Sequence, residues 1–166
     1  MAAYRASAER VSVLQIPTAD PRLAIVQLAD ATARGVQDSK AREEVASWLG
    51  DPDARMGTLR DGLSAAHTVG PPMSDALLND VRVQAEAMRL LATYDMAQLV
   101  KETRQAEARL VALNHAGPGQ NAGIRTEFEA ARLDAAIEAA TSQVAEEQER
   151  IRELDSLDLP PREEVP

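Results

Sequence analysis

From Ser74 to Ala116 the chain runs for more than forty residues without a glycine or a proline. Within that stretch Leu77, Val81, Ala85, Met88, Leu91, Leu99, Ala106, Leu110 and Leu113 recur with a period near 3.6, which predicts one amphipathic helix over 74–116. At 1.5 Å per residue such a helix is a rod of roughly 60 Å. A rod of that length is about twice the diameter of a small domain, so it cannot be one side of an ordinary compact bundle. The rest of the chain must run along part of it and leave part of it as an arm.

A second rod is available. Leu133, Ile137, Ala140, Val144, Ile151 and Leu154 form a seam of a and d type over a predicted helix at about 122–157, with Glu147 as its one flaw. Ile124 and Phe128 fall off this seam and are expected to pack near the turn. Between the rods lies LNHAGPGQNAGIR, Leu113 to Arg125. It holds one of the two histidines, together with glycines and a proline. Its residues suit a helix-reversing corner: His115 at a helix end, Gly117 just past it, Pro118 preventing continuation and Asn121 as an N-cap. The two rods then form an antiparallel α-hairpin with this stretch at its tip.

Upstream, two Asp-Pro pairs give the same start signal, an acidic N-cap followed by proline in the first turn. Asp20-Pro21 opens a predicted helix over 21–49 that Gly50 closes, with Leu23, Val26, Ala29, Ala33 and Val36, then Val45, Trp48 and Leu49, as its apolar face. Gly35 and the polar run Gln37 to Lys40 favour a kink or a break in its middle. Asp51-Pro52 opens a helix over 52–67 whose stripe is Met56, Leu59 and Leu63, extended by Ala66 and His67. Ser74 reads as the N-cap of the long helix, with Met73 and Leu78 as a hydrophobic staple. A second row on that helix, Val83, Leu90 and Tyr94, is expected to be covered by the first two helices. The predicted fold is therefore all-α: a small helical bundle with a long, coiled-coil-like antiparallel hairpin. It comprises an extended N-terminal arm over 1–19, one helical domain over 20–157 and an acidic, proline-rich tail over 158–166.

Composition narrows the function. Hydrophobic residues make up 45 % of the chain but aromatic ones only 2 %, and much of the remainder is alanine. A thin core of closely approaching helices follows, and a deep aromatic-walled pocket does not. The net charge is -9, with six bases and six acids in residues 1–50, four and seven in 51–100, and eight and fourteen in 101–166. Nucleic acid and anionic membranes both demand a basic surface, so neither is an expected partner. No apolar run reaches the ~20 residues of a membrane helix, and the first residues lack the apolar core of a secretory signal. Cytoplasmic synthesis as a soluble protein is the expectation, compatible with incorporation into a large assembly.

Searching for chemistry yields structural explanations. There is no cysteine, and neither His67 nor His115 has a Glu three residues before it, so metal-helix motifs are lacking and no cofactor is expected. DGLSAAH, Asp61 to His67, matches a nucleophile elbow only at Gly62-Leu63-Ser64 and sits inside a predicted helix rather than after a strand. Arg125 could meet an anion at a helix N-terminus, a generic property. No catalytic residue is assigned.

Two partner-binding segments are expected instead. The β-branched run Val11, Val13 and Ile16 could add a strand to a partner or lie in a groove of its own domain, against the plainer reading of an unstructured terminus. The acidic residues Glu146, Glu147 and Glu149, interleaved with Arg150 and Arg152, read first as a solvated face and more sharply as a contact for a basic partner. The expected function is thus non-enzymatic: a helical subunit of a larger homo- or hetero-oligomeric assembly, a profile that bacteriophage virion components and secretion-machine parts share. The alternative is an acidic regulator or inhibitor that binds a basic surface of a partner protein. An enzyme whose composite site forms only in an oligomer, with His67 or His115 as its base, has the least behind it.

Overall fold

The computed structural model describes residues 21–115, 123–157 and 159. These form five helices: α1 Pro21–Arg34, α2 Ser39–Leu49, α3 Pro52–Thr68, α4 Met73–His115 and α5 Gly123–Asp155. No strand occurs among the described residues, and the fold is all-α as expected. The N-terminal arm with Val11, Val13 and Ile16, the tip over 116–122 and nearly all of the tail lie outside them.

The predicted helix over 21–49 is two helices, and backbone chemistry shows why. Gly35 takes a left-handed φ of 66°, which costs glycine nothing. Its N–H donates to the Thr32 carbonyl at 3.2 Å and the Val36 N–H donates to Ala31 at 3.0 Å. Those two bonds are the pairing of a Schellman cap, which satisfies the carbonyls that α1 leaves open. Asp38 then restarts the chain, its carboxylate accepting the Ala41 N–H at 3.1 Å. Both caps draw on residues that the sequence had marked as a break.

A different face of α1 is buried from the one expected. Ala24, Leu28 and Ala31 are inside, whereas Leu23 is 56 % and Val26 64 % exposed, with Ala29, Ala33 and Val36 also outside. α2 buries Ala41, Val45 and Leu49, and Trp48 is half-buried. It ends at Gly50, whose φ is 73° and whose N–H donates to Ala46 at 2.9 Å. Asp51 caps α3 through the Ala54 N–H at 3.0 Å, with Pro52 in the first turn as the sequence signal requires.

Arg55 ties three helices together. Its Nε donates to the Leu49 carbonyl at the end of α2 at 2.7 Å, and its Nη1 donates to Gln84 Oε1 on α4 at 3.0 Å. The guanidinium thus satisfies an orphan carbonyl at the negative end of the α2 dipole. Arg55→Ala is expected to lower unfolding free energy by about 1.5 to 2 kcal/mol, because a charge-assisted bond to a helix end is lost along with stem packing. Arg55→Lys should recover only part of this, since one ammonium cannot reproduce the fork. Urea melts of the three proteins check the order.

α3 buries Met56, Leu59, Leu63 and Ala66 as read, but His67 is exposed and does not extend the stripe. The start of α4 also departs from expectation. Ser74 is not an N-cap: its own N–H already donates to Gly70 at 3.3 Å and the Ala76 N–H donates to Pro72 at 3.2 Å, so Pro71 and Pro72 lead directly into the helix. Met73 is exposed, and the staple does not form. Along α4, Val81, Ala85 and Met88 are buried on the predicted stripe. On its other side Ala87 and Tyr94 are buried and Leu90 is half-buried, whereas Val83 is exposed, so the covered row begins one turn later than predicted.

The described residues group into two compact units. One holds α1, α2, α3, α4 as far as Leu91, and the end of α5 from Glu153; the other is Ala92–Arg152. Within the first, Leu154 is buried, Arg89 pairs with Asp155, and Arg60 lies 4.0 Å from Glu153. Within the second, α4 and α5 run antiparallel. Arg109 bonds Glu129 at 2.8 Å near one end, while Val100 and Thr103 share a groove with Thr141 and Val144 further back. The hairpin expected from the two stripes is therefore present.

Candidate interaction surface

The two units differ in how much they bury, and that difference locates the candidate surface. Among the described residues, the second unit buries only Ala92, Tyr94, Leu133 and Ala140, while every other buried apolar residue belongs to the first. Leu99, Ala106, Leu110 and Leu113 of α4 and Ile137, Val144 and Ile151 of α5 follow the predicted stripes but reach only half-burial. Two helices side by side bring one strip of each together and leave the flanks in water. A third or fourth helix is the usual way to finish such a core.

The flanks are apolar at specific places. On α4, Val100 is 37 % and Val111 54 % exposed, and on α5 Phe128 is 73 % exposed rather than packed near the turn as expected. A shallow groove between the helices is lined by Val100, Thr103, Arg104 and Glu107 of α4 with Thr141 and Val144 of α5. Its hydroxyls are spoken for: Thr103 Oγ1 donates to the Leu99 carbonyl and Thr141 Oγ1 to the Ile137 carbonyl, each at 2.8 Å. The groove therefore offers valine and aliphatic surface along its floor and two charged heads at its rim. Such a lining suits the side chains of another helix better than a polar small molecule.

The sequence-predicted acidic site lies on α5 in the same unit. Glu146 and Glu149 are exposed and Glu147 is half-buried at its seam position. Glu149 accepts from Arg152 Nη1 at 2.9 Å, an i,i+3 pair, and Glu147 and Arg150 are engaged as well. The cluster is brought together by its helix, but part of its charge is answered within the chain. The side chain of Ile124 and the run Val11, Val13 and Ile16 lie outside what the structure describes.

His67 and His115 are both exposed, near the ends of α3 and α4. No group of three His, Asp or Glu side chains able to hold a metal occurs among the described residues, and no buried side-chain polar atom there is without a partner. No helix among them is long and apolar enough to cross a membrane.

Sequence reasoning missed this exposed apolar surface because Val100 and Val111 lie off the stripe. They are eleven residues apart, three helical turns, and a search for one periodic face assigns them to the solvent side. The available signal was a second, sparser row on the same helix. Comparisons with protein-family models, curated proteins and solved structures find no match to this chain.

Proposed function

We propose that the protein is a non-enzymatic helical subunit of a larger protein assembly, with virion components as one class of assembly that would use such a part. The observation that carries this reading is the under-filled hairpin: long α4 and α5 segments whose seam is half-buried and whose flanks expose Val100, Val111 and Phe128. Large apolar side chains held exposed on a rigid helical frame are what a docking neighbour covers. The acidic-regulator alternative has less support, because Glu149 already has a cation beside it.

Size-exclusion chromatography with light scattering tests the proposal. The purified chain should either exceed its 17.9 kDa monomer mass, or shift to a larger species when mixed with the products of neighbouring genes. A mass that stays at the monomer value across micromolar to near-millimolar concentrations, with no binding to those products, would overturn it.

A further inference from the structure

Four exposed residues of α4 are symmetrically spaced, with valine at both outer positions and opposite charges at the two inner ones. Val100, Arg104, Glu107 and Val111 are spaced by four, three and four, so at 100° per residue they fall within an arc of about 60° on one helix face. They are symmetric about the point between Gln105 and Ala106. The inner pair is opposite in charge, and neither Arg104 nor Glu107 has an ion pair or hydrogen bond among the described residues. The outer pair consists of the exposed large apolar residues of this half of the helix. Thr103, Thr141 and Val144 complete the groove beside it.

A row of this kind is self-complementary under a two-fold axis. When two copies of α4 lie antiparallel with the axis through that midpoint, Arg104 of each faces Glu107 of the other, and Val100 of each faces Val111 of the other. Residue i meets j and j meets i, the defining relation of an isologous contact. In a parallel arrangement in register, by contrast, each charge would face its own kind.

We infer that this face of α4 docks a second copy of the same chain, antiparallel and two-fold symmetric, so that two hairpins close into a four-helix core. The inference rests on the assembly reading above and specifies its first contact. The second copy covers the two valines, supplies counter-charges to both rim residues, and lays its own α4 beside the half-buried seam.

Charge reversal tests the register. Arg104→Glu alone sets carboxylate against carboxylate twice per dimer, and Glu107→Arg alone sets guanidinium against guanidinium twice. Each single variant should raise the dimer dissociation constant about tenfold or more in sedimentation equilibrium, with helical circular dichroism unchanged. The double variant R104E/E107R restores both pairs with the polarity exchanged, and should return to within about threefold of wild type. Singles that dimerise like wild type, or a double no tighter than the singles, overturn the inference.

The chain has no cysteine, so cross-linking gives an independent check. Val100→Cys and Val111→Cys proteins, mixed under mild oxidation, should form a disulfide-linked heterodimer. Either protein alone should not, because its two like positions lie about 16 Å apart across the axis and a disulfide needs Cα atoms within ~7 Å. Equal cross-linking of Val100→Cys with itself overturns the antiparallel register. A wild-type chain that stays monomeric alone yet joins a different protein overturns the second copy as occupant while leaving the assembly proposal standing. One that stays monomeric and binds nothing removes both.

Discussion

Leu28→Ala should lower the unfolding free energy by about 3 kcal/mol, while Leu23→Ala five residues earlier should change it by no more than about 0.5 kcal/mol. Leu28 is completely buried, and Leu23 is more than half exposed. Removing three carbons from a closed site forfeits their transfer energy and leaves a cavity that the neighbours fill only in part. Removing them from an exposed site forfeits little, and alanine's better helix propensity returns some of it. Both substitutions use the same chemistry on one helix, so propensity effects cancel in the comparison. Urea unfolding of the two variants beside wild type gives the answer, and a larger loss for Leu23→Ala would mean that α1 turns its other face inward.

That comparison also shows where the sequence misleads. α1 is so rich in alanine that its apolar residues fit two helical phases. A reading weighted by side-chain size follows Leu23 and Val26, while the fold takes the phase of Ala24, Leu28 and Ala31. Small side chains at 24 and 31 let another element approach closely around one leucine, and closeness of approach is a property of the pair of surfaces that a single stripe does not contain. Elements fixed by covalent punctuation were legible. Asp51-Pro52, Gly35 and Gly50 impose local backbone states through bonds within a few residues, and the ends of α1 and α2 and the start of α3 follow from them. Ser74 failed as a cap because Gly70 and Pro72 carbonyls already meet the N–H groups of that turn. For α4 and α5, the long stripes gave the hairpin, since uninterrupted helices with one apolar seam have one economical way to pair.

The candidate surface was legible in part for a similar reason. The charge of Glu146, Glu147 and Glu149 is visible in the sequence, but whether a charge is spent inside the chain depends on rotamers, as the Glu149–Arg152 pair illustrates. Val100 and Val111 were present as letters, yet their meaning depends on what fails to cover them. Periodicity finds the face that a chain buries in itself. A face left uncovered is sparser, and on α4 it becomes visible only once Val100 and Val111 are seen to lie exposed.

Gly62→Leu should destabilise the protein by about 3 kcal/mol, although exchanging glycine for leucine within a helix ordinarily gains most of ~1 kcal/mol. Gly62 lies inside α3, and a Cβ built there would stand 2.8 Å from Cγ2 of Val81 on α4. Carbon atoms in contact prefer 3.5–4.0 Å, so even the first added carbon must push something aside. Val81 is buried and, being β-branched on a helix, has essentially one χ1 rotamer, so its methyl cannot swing away. Either the valine strains or α3 moves off α4, and the second course opens the contacts of Leu59 and Leu63 on the same face. Gly62→Ala sets the opposing terms nearly against each other and should cost about 1 kcal/mol or less. Val81→Ala in the Gly62→Leu background should recover at least ~1 kcal/mol, the non-additivity expected of two residues that meet across the α3–α4 contact. The serine two residues on provides the control: Ser64 is exposed, so Ser64→Ala should leave the urea midpoint within error of wild type. A Gly62→Leu midpoint equally close to wild type would show that α3 and α4 do not meet there, and the glycine of Asp61-Gly62-Leu63-Ser64 would again need an explanation other than packing.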